Sequence, residues 1–343
     1  MSVGTTRDEG ARERQRGLVG LEAIERAARR LQGVVVRTPL VPFPMADPPL
    51  LIKPESLQPT GAFKLRGAYS ALAALPEEAR AAGVITHSSG NHAQAVAYAA
   101  RAMGVPAVLV VPHTTPQVKV TACQALGAEI VFVEPTMEAR TGTAERLAQA
   151  HGFALIPPFD DAQVIAGQGT VGLEIVEDAP DVEVVLVPVG GGGLISGIAA
   201  AIRALRPAAQ VIGVEPTLAA DARDSLRAGH PVEWAAERTS RTIADALRVQ
   251  RVGDLPFAHI REYVDDIVTV GENEISTAMR RLAGEARLVA EPGGAVAVAA
   301  YLFHRDRLPV ASAYVAVLSG GNVDPALLAG VLAPQADPLR PLG

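Results

Sequence analysis

The stretch GVITHSSGNHAQAVAYAARAMGVPAVLVVP, residues 83–112, decides the fold class. Its first residues, GVITHS, read as a short apolar strand. NHAQAVAYAARAMG is an alanine-rich run of helical length that stops at Gly104, a residue suited to the left-handed C-terminal position of a helix. VPAVLVVP then gives a second apolar strand. Strand, helix and strand packed into thirty residues leave room only for a parallel crossover unit.

The pattern repeats outward from there. TPQVKVTACQALG (115–127) reads as a helix closed by glycine, AEIVFVEP (128–135) as a strand, TMEARTGTAERLAQAHG (136–152) as a helix and FALIPP (153–158) as a short strand. That makes about four strands in one block. A second block holds strands in VEVVLVPVG (182–190), AQVIGVEP (209–216), DIVTV (266–270) and AYVAVLSGGN (313–322). Helical segments lie between them: QVIAGQGTVGLEIVEDAP (163–180), LISGIAAAIRALRP (194–207), the run after Gly271 and GAVAVAAYLFHR (294–305). The expected fold is α/β, with two open, mostly parallel sheets carrying helices on both faces and the second sheet the larger.

Bulk composition agrees. The 343 residues are 49% hydrophobic but only 4% aromatic, a length and makeup that suit a two-domain α/β protein. A net charge of −6 argues against nucleic acid or an anionic membrane surface as partner. The polar start MSVGTTRDEGARERQRG lacks the apolar core of a signal peptide, and no apolar run is long enough to span a bilayer, so a cytoplasmic location is expected. A single cysteine, Cys123, excludes an internal disulfide and any cysteine cluster, and its helical setting suggests a buried structural thiol. Residues 1–17 and the proline-rich end APQADPLRPLG are expected to be mobile.

In open parallel sheets, ligands gather beyond the carboxyl ends of strands, so loops there are where chemistry is sought. Gly190, Gly191, Gly192 and Gly193 follow a strand and open a helix. Such a run lets successive N–H groups converge on one point and adds the positive end of a helix, which suits a phosphate. A tight turn would need only one or two glycines. No lysine follows as in a Walker loop, and the spacing is not that of a dinucleotide site. Ser88, Ser89, Gly90, Asn91 and His92 lie between a strand and a helix and offer donors for a carboxylate. Ser89 or Asn91 could equally be a plain helix cap, and His92 taken alone reads as structural. Ser319 ends a strand just before Gly320, Gly321 and Asn322.

Only three of the 31 basic residues are lysines: Lys53, Lys64 and Lys119. Arginine stays protonated, whereas a desolvated lysine can become a primary amine nucleophile. Lys64, in the glycine-flanked TGAFKLRGA (60–68), is open to both that reading and that of a surface lysine with a buried stem.

Taken together, KPESLQPTGAFKLRGA (53–68), SSGNHAQA (88–95), VPVGGGGLISG (187–197) and LSGGNVD (318–324) resemble, in order and spacing, the fold-type II pyridoxal-phosphate enzymes, and within them the threonine/serine dehydratase and serine racemase group. PPFDDAQVIAGQGTVGLEI (157–175) and EYVDDIVTV (262–270) strengthen the likeness, which covers about residues 17–330. The resemblance implies a tryptophan synthase β-like fold: a mobile tail over 1–17, a large cofactor-binding domain from 18–74 and 161–335, and a small mobile domain at 75–160. It implies pyridoxal 5'-phosphate joined to Lys64, packed by Phe63, its phosphate in Gly190–Gly193 with Leu194, its ring oxygen on Asn91 and its ring nitrogen facing Ser319. The substrate carboxylate would meet Ser88, Ser89, Gly90, Asn91 and His92.

The activity implied is dehydration and deamination of L-serine and L-threonine to a 2-oxo acid and ammonia. Serine racemase or 3-hydroxyaspartate dehydratase activity in the same site is the alternative. Ser89 stands where racemase-competent members place the acid–base serine of the second face, so Lys64 and Ser89 are the candidate catalytic pair. Arg140 resembles an arginine that meets a second substrate carboxylate, although a surface arginine fits as well. GVEPTLAADARDSLRAG (213–229) resembles a Mg²⁺ or Ca²⁺ site built from Glu215, the Ala219 carbonyl and Asp221; the alternative is two solvated acids. Ala246 replaces the usual glycine of its segment, Ala62 a commoner serine, and Pro59 a lysine of nucleotide-regulated racemases. A homodimer is implied by analogy. A catalytically idle phosphate- or amino-acid-binding module is the competing class.

Overall fold

The computed structural model describes residues 17–333. All but the last residue of the tail expected over 1–17, and all but the first of the proline-rich end 333–343, lie outside the described residues. Apolar runs become ten strands: β1 (Val41–Pro42), β2 (Leu50–Pro54), β3 (Val84–Thr86), β4 (Ala107–Pro112), β5 (Glu129–Val133), β6 (Ala154–Leu155), β7 (Val184–Pro188), β8 (Gln210–Pro216), β9 (Asp266–Val270) and β10 (Tyr314–Leu318). They form a six-stranded sheet in the order β1-β2-β10-β7-β8-β9 and a four-stranded sheet in the order β5-β4-β3-β6. Only β1 runs antiparallel to its neighbour; all other pairings are parallel.

The runs of β3, β4, β7 and β10 show no polar alternation because both faces of these strands are covered, whereas β5, at a sheet edge, leaves Phe132 exposed. In β10, Tyr314, Ala316 and Leu318 face one cluster, with the helix Pro292–Phe303, while Val315 and Val317 face another, with the helix Gly193–Leu205. β7 divides the same way, Val184 and Leu186 against Val185 and Val187. The smaller sheet repeats the arrangement, with Val84 and Leu109 on one face and Ile85, Val108 and Val110 on the other. Helix ends follow the glycines: Gly104 takes φ 67 after Asn91–Met103, and Gly152 takes φ 73 after Met137–His151. Cys123 is buried and free, as its helical setting suggested.

The four strands expected in each block are all present, and the six-stranded sheet gains two more. β1 and β2 escape a reading by pattern because one is two residues long and the other carries a charge, Lys53. That lysine is fully buried and sits in the sheet only because its amine donates to the Thr38 carbonyl and to Glu174 Oε2, both at 2.6 Å.

The register explains where function gathers. Pro54 of β2 pairs with Leu318 of β10, and Ala316 pairs with Leu186 of β7, so three adjacent parallel strands end at one edge. The segments that leave them are the one reaching Lys64, the one starting at Ser319 and the glycine run.

Candidate active site

Lys64 is the first residue of the helix Lys64–Ala74, held by the loop before it. That loop interlocks with the turn after β10. Phe63 N–H donates to the Ser319 carbonyl at 3.0 Å, Gly321 N–H donates to the Gly61 carbonyl at 2.8 Å, and Ala62 pairs antiparallel with Gly320. Gly61 adopts φ +71, and a Cβ there would lie 2.2 Å from Asn322 Oδ1, so only glycine allows the two loops to close. One turn into the helix, Arg66 is fully buried and bridges Glu55 and Glu174, anchoring the segment that presents the lysine.

The Lys64 amine donates to the Pro158 carbonyl at 2.7 Å. Burial pushes its pKa down to about 8, against the opposing pull of Glu291. An amine so placed is partly neutral near physiological pH, which favours the nucleophile over the snorkelling surface lysine. Phe63 lies beside it, with the amine 5.1 Å from the ring centroid.

The neighbouring residue of the same crossing segment touches the glycine run. A Cβ on Gly191 would sit 2.2 Å from the Phe159 ring, and one on Gly193 would sit 3.0 Å from Phe159 Cβ. Gly192 takes φ +90 as the cap of the helix Gly193–Leu205, whose first-turn N–H groups have no partner within the helix. Gly190 and Gly191 are half-exposed, whereas Leu194 is buried. Residues 158 and 159 therefore join lysine and glycine run into one cleft. The run fits a phosphate: it is a helix start of bare backbone, and side chains on Gly191 or Gly193 would collide with Phe159. Ala246 borders the same place, its Cβ 3.3 Å from where a Cβ of Gly293 would be.

The loop after β3 completes the cleft from the smaller sheet. Ser88, Ser89 and Gly90 are half-buried. The helix cap is Gly90 and makes no side-chain cap bond, so neither Ser89 nor Asn91 caps. The reason is that Asn91, the first helical residue, is engaged elsewhere: its Nδ2 donates to Glu291 Oε1 at 2.7 Å and its Oδ1 accepts from Asn322 Nδ2 at 2.9 Å. His92 is buried and bonds the Ile156 carbonyl at 3.0 Å, and burial with the nearby Lys64 charge holds it down to about 3. It ties the loop to the segment after β6 as a neutral side chain, in keeping with a structural role.

Ser319 is buried at the end of β10, beside Gly320. Behind it stands Glu291, which no motif singled out. Its carboxyl is buried and pushed up to about 8 by desolvation and by Asp245. A Cβ on Gly320 would lie 2.5 Å from Glu291 Oε1. Its sequence signal is slight: an acid directly before Pro292 and two glycines at a helix start. Across the cleft mouth, Lys119 of the helix Gln117–Ala125 pairs with Asp245 at 3.3 Å. Arg140 is half-buried on the helix Met137–His151, contacts the Thr136 carbonyl at 3.4 Å, and adds to the burial that lowers the pKa of His87, the residue just before Ser88.

A second acidic cluster sits at the same edge of the large sheet. Glu215 Oε1 and Oε2 accept the N–H groups of Ala222 (3.0 Å) and Arg223 (2.8 Å). Burial and the adjacent Asp221 raise its pKa well above the carboxylate range, and Asp221 itself is pushed up to about 7. Neither Asp221 oxygen makes a well-formed hydrogen bond, although a backbone N–H at Val252 tempers its charge. Two buried neighbouring carboxylates, of which Asp221 has both oxygens unsatisfied, beside a buried Ala219 are a donor set that a hard divalent cation would satisfy. Among the described residues no cluster contains three acidic, histidine or cysteine ligands.

Comparison with known proteins gives consistent matches. The family model described as pyridoxal-phosphate dependent enzyme matches residues 31–320. The chain is 45% identical over 314 residues to an L-threonine ammonia-lyase of Thermotoga maritima, covering 90% of this chain and 76% of that one. It is 42% identical over 302 residues to an L-threo-3-hydroxyaspartate ammonia-lyase of Saccharomyces cerevisiae, covering 87% and 91%. The crystal structure of serine racemase from Dictyostelium discoideum superposes with a TM-score of 0.84 at 38% identity, covering 89% of this chain and 99% of that one.

Proposed function

We propose that this chain, which belongs to the family of pyridoxal-phosphate dependent enzymes, converts L-threonine and L-serine to a 2-oxo acid and ammonia by way of dehydration. The observation that carries the reading is that a buried lysine amine and a serine, rather than an acid, stand on two loops tied together at adjacent strand ends. Lys64 and Ser319 are linked through the Phe63 N–H bond to the Ser319 carbonyl.

Pyridoxal phosphate, when bound, supplies the electron sink for the pair left at the substrate α-carbon. The residues that would hold it are Lys64, Phe63, Asn91, Gly190–Gly193 with Leu194, and Ser319. The chain's own part is to orient and to move protons. Ser88, Ser89, Gly90, Asn91 and His92 offer a loop and helix start for the substrate carboxylate. Lys64, able to be neutral near pH 8, takes the α-proton on its Nζ. Ser319 would meet the cofactor's ring nitrogen with a neutral hydroxyl, which would not hold that nitrogen protonated as a carboxylate would and would favour loss of the β-hydroxyl. Water lost across Cα–Cβ returns on hydrolysis, when ammonia leaves.

Serine racemisation and 3-hydroxyaspartate dehydration are the second reading. The half-buried Ser89 supports the first of these, and the relatives that bear those names support both. Arg140 would meet the extra carboxylate of hydroxyaspartate on a closing movement of residues 75–160 over the unit formed by 18–74 and 161–335. Mg²⁺ or Ca²⁺ at Glu215, Ala219 and Asp221 and a homodimeric state belong to the same reading. So does a cytoplasmic location, where the free thiol of Cys123 stays reduced. Among the described residues no helix is long and apolar enough to cross a membrane.

The test is a substrate panel. L-threonine, L-serine, D-serine and the 3-hydroxyaspartate isomers are incubated with the loaded enzyme, and 2-oxo acid and chirality are followed. Fastest 2-oxo acid release from L-threonine or L-serine supports dehydration as the main activity. Inversion outpacing release, or hydroxyaspartate as the fastest substrate, overturns it in favour of the second reading.

A further inference from the structure

An asparagine side chain has two nearly isosteric ends, and which end faces a ligand is decided by what holds it from behind. At Asn91 both ends are held. Asn322 Nδ2 can only donate, and it donates to Asn91 Oδ1 at 2.9 Å and to the Thr60 carbonyl at 2.8 Å. Glu291 Oε1 accepts from Asn91 Nδ2 at 2.7 Å. The two partners come from segments about thirty residues apart, and each is fixed in turn. Asn322 lies over the side-chain-free Gly61, and Glu291 is buried with its own N–H bonded to the Gly320 carbonyl at 3.0 Å.

We infer that Asn322 and Glu291 are positioning residues that lock the Asn91 carboxamide in one orientation, so that its second N–H is presented to the cofactor's ring oxygen. Asn322 Nδ2, itself fixed by the Thr60 carbonyl, can only donate, so a flipped Asn91 would set N–H against N–H there and give up the bond to Glu291 Oε1. Locking in advance spares the site the ordering of a free amide when the cofactor enters. The lock also joins the two sheets: Asn91 begins a helix of the four-stranded unit, whereas Asn322 and Glu291 belong to the six-stranded one. The inference rests on the cofactor reading above.

The test uses cofactor-free protein titrated with pyridoxal 5'-phosphate, reading the growth and wavelength of the visible band, with melting temperatures as the check on folding. Asn322→Asp replaces the donor by an acceptor facing Asn91 Oδ1, and is expected to weaken cofactor binding about tenfold or more and to shift the band. Asn91→Ala does the same. Because Asn322 acts through Asn91, the double variant binds within about twofold of Asn91→Ala alone. Glu291→Gln, whose amide oxygen still accepts, binds within about twofold of the parent, whereas Glu291→Leu loses about tenfold. If the buried Glu291→Leu does not fold, the half-buried Asn322 carries the test. Parent-like binding by Asn322→Asp, or losses that multiply in the double variant, overturn the inference while leaving the cofactor reading intact. A parent protein that gains no visible band overturns both.

Discussion

Arg66 Nη1 donates to Glu174 Oε1 at 2.6 Å, across 108 residues of sequence and with the arginine fully buried. The same guanidinium bonds Glu55, and Glu174 also receives Lys53, so four charges balance in the core directly behind Lys64. Replacing Arg66 by Met leaves two buried carboxylates with one cation between them. A loss of about 3–5 kcal/mol is expected from urea denaturation. Arg37→Gln, breaking an exposed pair with Glu177 and Asp178, is expected to lose about 0–1 kcal/mol in the same assay.

Lys64→Met should abolish turnover and the visible band while leaving the cofactor-free protein more stable than the parent at pH 7. The Lys64 pKa lies at about 8 in the fold against an ordinary 10.5, so the native state carries a penalty for the charged amine at every pH below about 8. Methionine removes that penalty and keeps the packed stem. Chemical denaturation of the two apoproteins measures the difference.

The stability of the cofactor-free chain should vary with pH in two opposed ways. Glu291 has its pKa raised to about 8 from 4.5, so its contribution is full below about 4.5 and is lost as pH rises through 8. Lys64 has its pKa lowered, so its penalty is relieved between about 8 and 10.5. Together they give a minimum near pH 8. Urea midpoints at pH 6, 8 and 10 check the shape, and in Glu291→Gln the fall between pH 6 and 8 is smaller than in the parent.

Ser89→Ala should lose the interconversion of serine enantiomers and the reaction of the D-isomer by at least about 10²-fold, the usual scale of one acid–base group. The ratio of racemisation to elimination, followed by chiral chromatography alongside 2-oxo acid release, reads this out. An unchanged ratio would remove Ser89 from the acid–base pair.

A divalent cation should raise the melting temperature of the protein. At a free concentration one hundred times Kd the added stability is about 2.7 kcal/mol. Mg²⁺ and Ca²⁺ are tested separately, and Asp221→Asn, which removes one of the two neighbouring charges, should melt at a temperature that neither ion moves.

Much of this site was legible because its signals are local. Lys64 stands out as a rare lysine between glycines, the run from Gly190 to Gly193 exceeds what a turn needs, and the strands after residue 83 are continuous apolar runs. What escaped reading depends on long-range partners. Lys53 makes β2 look unlike a strand until Glu174 is placed beside it. Asn91 reads as a helix cap until Glu291, 200 residues away, takes its N–H. Arg66 carries no mark of burial, because nothing in its neighbourhood announces Glu174. Glu291 was hidden for the same reason, since its chemistry is made by what surrounds it and not by a spacing.

β10 is the last strand among the described residues, yet it lies between β2 and β7 inside the six-stranded sheet. A ribosome must therefore release the chain through β10 before β2 and β7 are joined. Until then two strand edges stay bare, and a nascent chain terminated short of Tyr314 would have neither a continuous sheet nor a seat for its cofactor, only surfaces prone to clump.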